Sequence, residues 1–467
     1  MLFSTPFFLF VFLPLFFGLY WFLPARRQIL LAGSLIFYAW SEPLFIWVVL
    51  ASACFDWFLG RLIYALPPGR GRRKFLVGLG VASNLGLLIY AKYTAFAVVN
   101  LNILLTHFGT AAITVPKIAL PLGVSFIVFE KITYLVDLYR HVAAPAVSLF
   151  DYLNYVFLFP KLLAGPIVKY HDISGQLTTP SHRYEDVRDG TIRFIHGFAK
   201  KVLIADALAP LVDVIFNLPA HRLDISSAWL GVICFTLQIY FDFSGYSDMA
   251  IGLGRILGFR LLENFNNPYL ATSFTDFWRR WHISLSSWIK EYLYIPLGGS
   301  RVSTARSYVN LCICFLLSGL WHGASWNFVI WGCFHGAVLV ADRAFWLRWQ
   351  KALPRFVNIA LTFLLVSIAW VFFRCDTFTH ATAYLHALVV SSPGVPDQVM
   401  EQTDASTWAV IAAGLVLVFA PLLDFSRFKK HLPIHRTPAL AFCLVLLVLT
   451  AGRMAVSNFH PFLYFRF

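Results

Sequence analysis

Long apolar runs separated by short charged clusters dominate the chain. They lie near residues 3–25, 28–60, 75–92, 94–105, 118–137, 152–168, 194–217, 226–254, 309–341, 356–373, 407–423 and 438–452. A helix rises 1.5 Å per residue, so about 20 apolar residues cross the roughly 30 Å hydrocarbon core of a bilayer. Some runs exceed one crossing and others fall short of it, which predicts about 10 to 12 membrane segments. No unit of about 20 to 50 residues repeats, so no solenoid or array is expected. The pattern predicts an all-α, polytopic membrane bundle, organised as one integral-membrane domain over residues 1–467, with amphipathic and re-entrant helices beside the spans. No charge precedes Arg26 and Arg27, which reads as a retained first span and not as a cleaved leader.

Composition agrees with that picture. Of the 467 residues 59% are hydrophobic and only 13% charged, with a mean hydropathy of +0.70. Soluble domains carry about 25% charged residues, which argues against a soluble enzyme and makes the lipid bilayer the first expected partner. Lys and Arg number 37 against 23 Asp and Glu, a net charge of +14. That excess sits mainly in short inter-helix loops, where the positive-inside rule accounts for it without a nucleic-acid partner. Seven cysteines, most of them within apolar runs, form no Cys-x-x-Cys pair. They read as small buried hydrophobes, and no metal site is expected.

The loops at 342–355 (Arg343, Arg348, Lys351, Arg355) and 424–436 (Arg427, Lys429, Lys430, Arg436) each carry one acid against four bases, which predicts a cytoplasmic location. Between them, residues 376–404 hold Asp376, Asp397, Glu401 and Asp404 with no Lys or Arg, and read as a periplasmic loop. Arg61, Arg70, Arg72, Arg73 and Lys74 mark another cytoplasmic loop.

Ionisable groups are costly in hydrocarbon, so polar residues within apolar runs must face protein interior or water. Three places stand out. The segment Gln238 to Asp248 places Asp242, Ser244, Tyr246, Ser247 and Asp248 in one apolar run. It is readable as a lined channel or, more simply, as polar contacts between helices with a helix break at Gly245. The second is Ser273 to Tyr292, where apolar residues recur at helical spacing opposite Asp276, Arg279, Arg280, Lys290 and Glu291. Ser273 and Asp276 form a capping-box pattern. Helical projection puts His282 just outside the apolar stripe, at a boundary between apolar and wet surfaces.

The third is Leu317 to Asn327. Basic flanks at Arg306 and Arg343 enclose an apolar run of more than 30 residues, so the chain must enter and return, and the glycines beside His322 are the natural bend. Sixteen residues separate His322 from Arg306, roughly 24 Å of helix, which sets the histidine well inside a core of about 30 Å. At that depth an imidazole needs partners or a task. Neutral and desolvated, it can take a proton from a hydroxyl and return it to a leaving group. His335, in Phe334-His335-Gly336, is a weaker echo and reads as a supporting histidine. Gly252-Leu-Gly254 has the wrong spacing for a dinucleotide turn and reads as helix packing.

Trp321-His322-Gly323 in a membrane hairpin, His282 in Phe277-Trp-Arg-Arg-Trp281-His282 and the tract Asn264-Phe-Asn-Asn-Pro268-Tyr269 together resemble the membrane-bound O-acyltransferase family. Tyr240-Phe-Asp-Phe-Ser-Gly-Tyr-Ser-Asp248, Pro121-Leu-Gly-Val-Ser125, Phe159-Pro-Lys-Leu-Leu-Ala-Gly165 and Tyr292-Leu-Tyr-Ile-Pro-Leu-Gly-Gly299 are similar to its bacterial polysaccharide branch, typified by the alginate O-acetylation membrane subunit. The resemblance is carried by residues up to about 345, with 118–345 as the expected catalytic core. It implies an acetyltransferase of the bacterial inner membrane, with His322 as catalytic base and His282 as the second active-site position. No permanently bound cofactor is implied. Acetyl-CoA would be the donor, drawn by Arg279, Arg280 and Lys290 beside Trp278 and Trp281. Asp242, Tyr246, Asp248, Trp321, Asn327 and His335 would line or support the channel. The acceptor would be an exopolysaccharide, alginate or cellulose, reached with a periplasmic transferase of the SGNH type and a polysaccharide synthesis and secretion complex. Peptidoglycan is an alternative acceptor, and a transporter or flippase an alternative class, although no internal pseudo-symmetry supports the latter.

Overall fold

The computed structural model describes residues 1–390, 394–423, 436–456 and 460–463. Every regular element among them is a helix. Among the described residues six helices are long and apolar enough to cross a membrane: Phe45–Ala65, Gly71–His107, Ile225–Ile256, Trp326–Ala352, Arg355–Arg374 and Ala405–Leu422. Phe8–Phe22 and Leu440–Val456 are apolar but shorter. This is fewer than the pattern alone predicts, for a local reason. One apolar run is spent on a buried turn: residues 152–168 break at Leu158 into Leu149–Phe157 and Phe159–Leu162, with Pro160 on the second piece. Conversely, the runs at 75–92 and 94–105 join through a π-turn at Ile89–Tyr93 into one helix. Large side chains such as Phe10, Trp47 and Phe22 stay exposed, as an apolar surrounding allows.

The described residues divide into two compact units, Met1–Thr191 with Ala250–Leu262 and Ile192–Met249 with Glu263–Phe467. In the first, Phe45–Ala65, Gly71–Leu88 and Val124–Arg140 pack closely. A Cβ at Gly60 would lie 2.5 Å from the Tyr134 ring, and one at Gly80 would lie 2.5 Å from Leu135. Between these helices Lys131 meets Asp56 at 3.0 Å, Asn84 Nδ2 donates to both Asp56 oxygens and Lys131 Nζ donates to Ser52 Oγ at 2.7 Å. A second buried pair joins Lys161 to Glu130, with the Lys161 ammonium over the Tyr155 ring. Removing one partner of a buried pair strands a charge and costs about 3–5 kcal/mol, whereas replacing both by apolar residues is near neutral. Lys131→Met is therefore expected to lower the melting temperature in detergent sharply. Asp56→Leu with Lys131→Met is expected to restore most of it, as scanning fluorimetry would read.

Arg73, expected on a loop, is buried and donates to the carbonyls of Ile63, Leu138 and Tyr139. It satisfies helix-end groups that otherwise lack partners. The loop expected at 342–355 is also largely helical, since the helix starting at Trp326 continues to Ala352. Residues 376–404 contain helices Phe378–Ala387 and Asp397–Glu401, the first capped by Thr377 Oγ1 accepting from His380 N–H at 3.1 Å. Of the basic loop at 424–436, residues 424–435 lie outside the described residues.

The helix Ile225–Ile256 runs unbroken through Gly245, which lies in its second-unit part, so the expected helix break does not occur. The glycine serves close packing instead: a Cβ there would meet the Gly197 carbonyl oxygen at 2.7 Å. The cysteines differ in part from expectation, since Cys54, Cys312 and Cys333 are exposed and the other four buried.

Candidate active site

The hairpin expected around His322 is present. Ser303 caps the helix Thr304–His322 through the Arg306 N–H, residues 323–325 turn, and Trp326–Ala341 returns. Small residues set how closely the two helices approach. A Cβ at Gly319 would strike the Phe328 carbonyl oxygen, and one at Gly332 the Phe315 carbonyl. His322, the last residue of the outgoing helix, is 5% exposed. Its ring sits edge-on to Trp321, Trp331 and Phe373, with centroids 4.9, 5.1 and 5.4 Å away. Just past it, Asn327 Nδ2 donates to the Cys375 carbonyl at 2.5 Å, tying the turn to the end of Arg355–Arg374.

The segment around His282 corrects the expectation of one continuous amphipathic helix. Ser273 Oγ accepts from the Asp276 N–H at 3.1 Å, as the capping pattern predicts, while the Asp276 carboxylate accepts from the Thr272 N–H, one residue before the cap. The helix Phe274–Trp278 then stops, and His282 takes a left-handed conformation (φ 45°) before Ile283–Ile289. The break has a tertiary cause: Asn266 N–H donates to the Arg280 carbonyl and Ile283 N–H to the Asn264 carbonyl, each at 2.9 Å. In consequence His282 is fully buried and not at a wet boundary. Its ring packs edge-on to Phe243 at 4.6 Å and lies 6.2 Å from the Trp321 indole. Burial pushes its imidazole pKa down to about 3, so the ring is neutral near pH 7. Both histidine rings thus lie near Trp321.

The other expected site residues divide by place. Trp278 and Trp281 are buried in the aromatic core and do not join the basic surface. Trp281 packs against Phe265, Phe277 and Trp370, and Trp278 Nε1–H donates to His335 Nδ1 at 3.2 Å. Their helical spacing marks an inward stripe, so the sequence signal was for packing. Arg279 and Lys290 are exposed, while Arg280 is held by Asp276 at 2.8 Å. Asp242 pairs with Lys201 at 2.6 Å and accepts from the Leu463 N–H at 2.7 Å. Asp248 pairs with Arg193 and Lys200, at 2.7 and 2.6 Å. Tyr246 stacks on Phe462. Both carboxylates are therefore neutralised by cations that the pattern did not single out. Lys201 and Lys200 lie more than 40 residues away in sequence, beyond any local signal.

A cavity of about 290 Å³ adjoins the hairpin turn, lined by Gly323, Ala324, Ser325, Phe328, Phe373, Arg374, Cys375, Asp376 and Leu463. Arg374, 2.7 Å from Asp213, puts a cation at its wall. The arrangement offers two buried histidines for proton transfer, one of them immediately beside a chamber with room for part of a substrate. Sequence reasoning missed Asn264, which donates to Ser247 and accepts from His282 and Ser284. Only its place in the Asn264–Tyr269 tract pointed to it.

Residues 138–378 match the profile of the MBOAT, membrane-bound O-acyltransferase family. A probable alginate O-acetylase AlgI of Azotobacter vinelandii is 38% identical, with both chains covered in full. One of Pseudomonas aeruginosa is 42% identical over 91% of this chain and 82% of its own. A peptidoglycan O-acetyltransferase of Helicobacter pylori is 37% identical over 83% of this chain and 80% of its own.

Proposed function

Because the chain belongs to the membrane-bound O-acyltransferase family, and is a multi-pass membrane O-acyltransferase, we propose that it transfers acetyl groups from cytoplasmic acetyl-CoA across the inner membrane for O-acetylation of an exopolysaccharide. The observation that carries this reading is that the buried rings of His282 and His322 both lie near the Trp321 indole, at 6.2 and 4.9 Å, with the cavity at Gly323. The similarity to alginate O-acetylases favours a polyuronate acceptor.

In this reading the acceptor hydroxyl reaches the cavity and gives its proton to the neutral His322 imidazole. The oxygen forms a bond to the thioester carbonyl carbon. The C–S bond breaks, and the imidazolium returns the proton to the departing thiolate, so atoms and charge balance. That hydroxyl belongs to an intermediate acceptor at the outer face, from which a periplasmic SGNH-type transferase moves the acetyl group to a polymer hydroxyl and leaves the first hydroxyl free again.

Arg279 and Lys290, exposed before and after the His282 turn in sequence, are assigned to attracting the donor phosphates. Exposed charges act at long range and are screened by salt. Reversing both to Glu is therefore expected to raise the KM for acetyl-CoA by about 3- to 10-fold at low ionic strength, with little change in kcat. The difference should shrink at 0.5 M salt, and an unchanged KM at low salt removes these residues from the donor route. The acceptor is tested by incubating membranes with labelled acetyl-CoA and alginate, cellulose or peptidoglycan precursors. Label on alginate supports the polyuronate reading, and label on peptidoglycan alone overturns it.

A further inference from the structure

Asn264 is fully buried, and all the polar atoms of its side chain are engaged. Its Oδ1 meets the Ser284 N–H at 3.2 Å, Ser284 Oγ at 2.9 Å and His282 Nδ1 at 3.1 Å, while its Nδ2 donates to Ser247 Oγ at 3.1 Å. A backbone N–H only donates, so the atom facing Ser284 N must be the amide oxygen, and the orientation of the amide follows from the network. A ring nitrogen facing that oxygen must carry hydrogen.

We propose that Asn264 is a positioning residue that fixes His282 in its Nδ1–H tautomer, so that the nitrogen His282 brings to acyl transfer is Nε2 with its lone pair. The inference rests on the acyltransferase reading of the site. A neutral imidazole has one ring hydrogen, and the bond to Asn264 places it on Nδ1. His282 therefore accepts a proton or a hydrogen bond at Nε2, and it does not act there as a neutral donor to a developing oxyanion. Asn264 also holds the ring in place through its backbone, since its carbonyl accepts the Ile283 N–H immediately after the left-handed His282. The same unit contains the opposite case. Trp278 Nε1–H, a donor only, faces Nδ1 of buried His335 and leaves that ring's hydrogen on Nε2. The two buried histidines are thus set in different tautomers by partners of opposite polarity.

Imidazole nitrogen shifts distinguish these tautomers directly. In protein with 15N-labelled histidine reconstituted in lipid, the signal lost in His282→Ala is expected to be of the Nδ1–H type, and the one lost in His335→Ala of the Nε2–H type. In kinetics, Asn264→Leu is expected to lower kcat about 10- to 100-fold with the KM for acetyl-CoA within about twofold, the scale on which orienting partners of a histidine act. Asn264→Asp retains an oxygen facing Nδ1 and is expected to recover most of kcat. Ser247→Ala removes only the other bond of the amide and is expected to stay within about twofold of wild type. An Nε2–H signal for His282 overturns the proposal, as does an undiminished kcat in Asn264→Leu. The wild-type spectrum decides even where Asn264→Leu fails to fold. If His282→Ala and His322→Ala both acetylate at the wild-type rate, the active-site reading fails instead, and the spectrum still reports the tautomer.

Discussion

Replacing His322 with alanine is expected to cut acetyl transfer by about 10³-fold, within the range over which a positioned acid–base group acts, while the protein still inserts and folds. His322 ends the outgoing helix of a hairpin whose close approach depends on Gly319 and Gly332, not on the imidazole. Its neighbours Trp331 and Phe373 keep their own contacts with Trp370. Truncation of a buried aromatic ring costs about 3–5 kcal/mol. A stability loss on that scale lowers the amount of protein, not the rate per molecule. Polymer acetyl content measured by NMR, normalised to protein in the membrane, separates the two. His322→Gln, which fills the space without acting as a base, is expected to be equally inactive. A His322→Gln variant with near-normal transfer would assign the histidine to packing.

The second large effect is expected at His282. His282→Ala should lower transfer by about 10²-fold, and here a backbone cost accompanies the chemical one. A non-glycine residue at φ 45° carries about 1–2 kcal/mol of conformational strain. Histidine offsets it with the Asn264 bond and the Phe243 contact, which alanine lacks. His282→Gly should therefore be more stable than His282→Ala by about 1 kcal/mol and equally slow. Melting curves beside initial rates check this. If glycine restored activity along with stability, the role of His282 would be to hold the turn.

What could be read from the chain depended on whether the cause was local. The hairpin bend at Gly323 was legible because two basic flanks and one overlong apolar run allow no other path. The Ser273 cap was legible because its partner lies three residues away. The break at His282 was not, since residues 273–292 keep helical spacing throughout, and the turn is imposed by the backbone of Asn264 and Asn266. The same reason hid the partners of Asp242 and Asp248, and the cations that neutralise them show why two carboxylates persist in an apolar helix. Gly245 illustrates a different ambiguity: glycine in an apolar helix marks either a break or a close approach, and only the position of Gly197 decides. The indoles of Trp278 and Trp281 were correctly apolar, yet the spacing that places them together says nothing of whether lipid, ligand or protein covers them.

In the proposed function the acyl group crosses the membrane at His322. The most direct measurement uses vesicles holding the purified protein, with labelled acetyl-CoA on the cytoplasmic side and alginate with its periplasmic transferase on the other. Wild type is expected to place label on the far-side polymer, and His322→Ala to leave the polymer unlabelled with the donor intact. Far-side label at the wild-type rate from the His322→Ala protein would contradict the account.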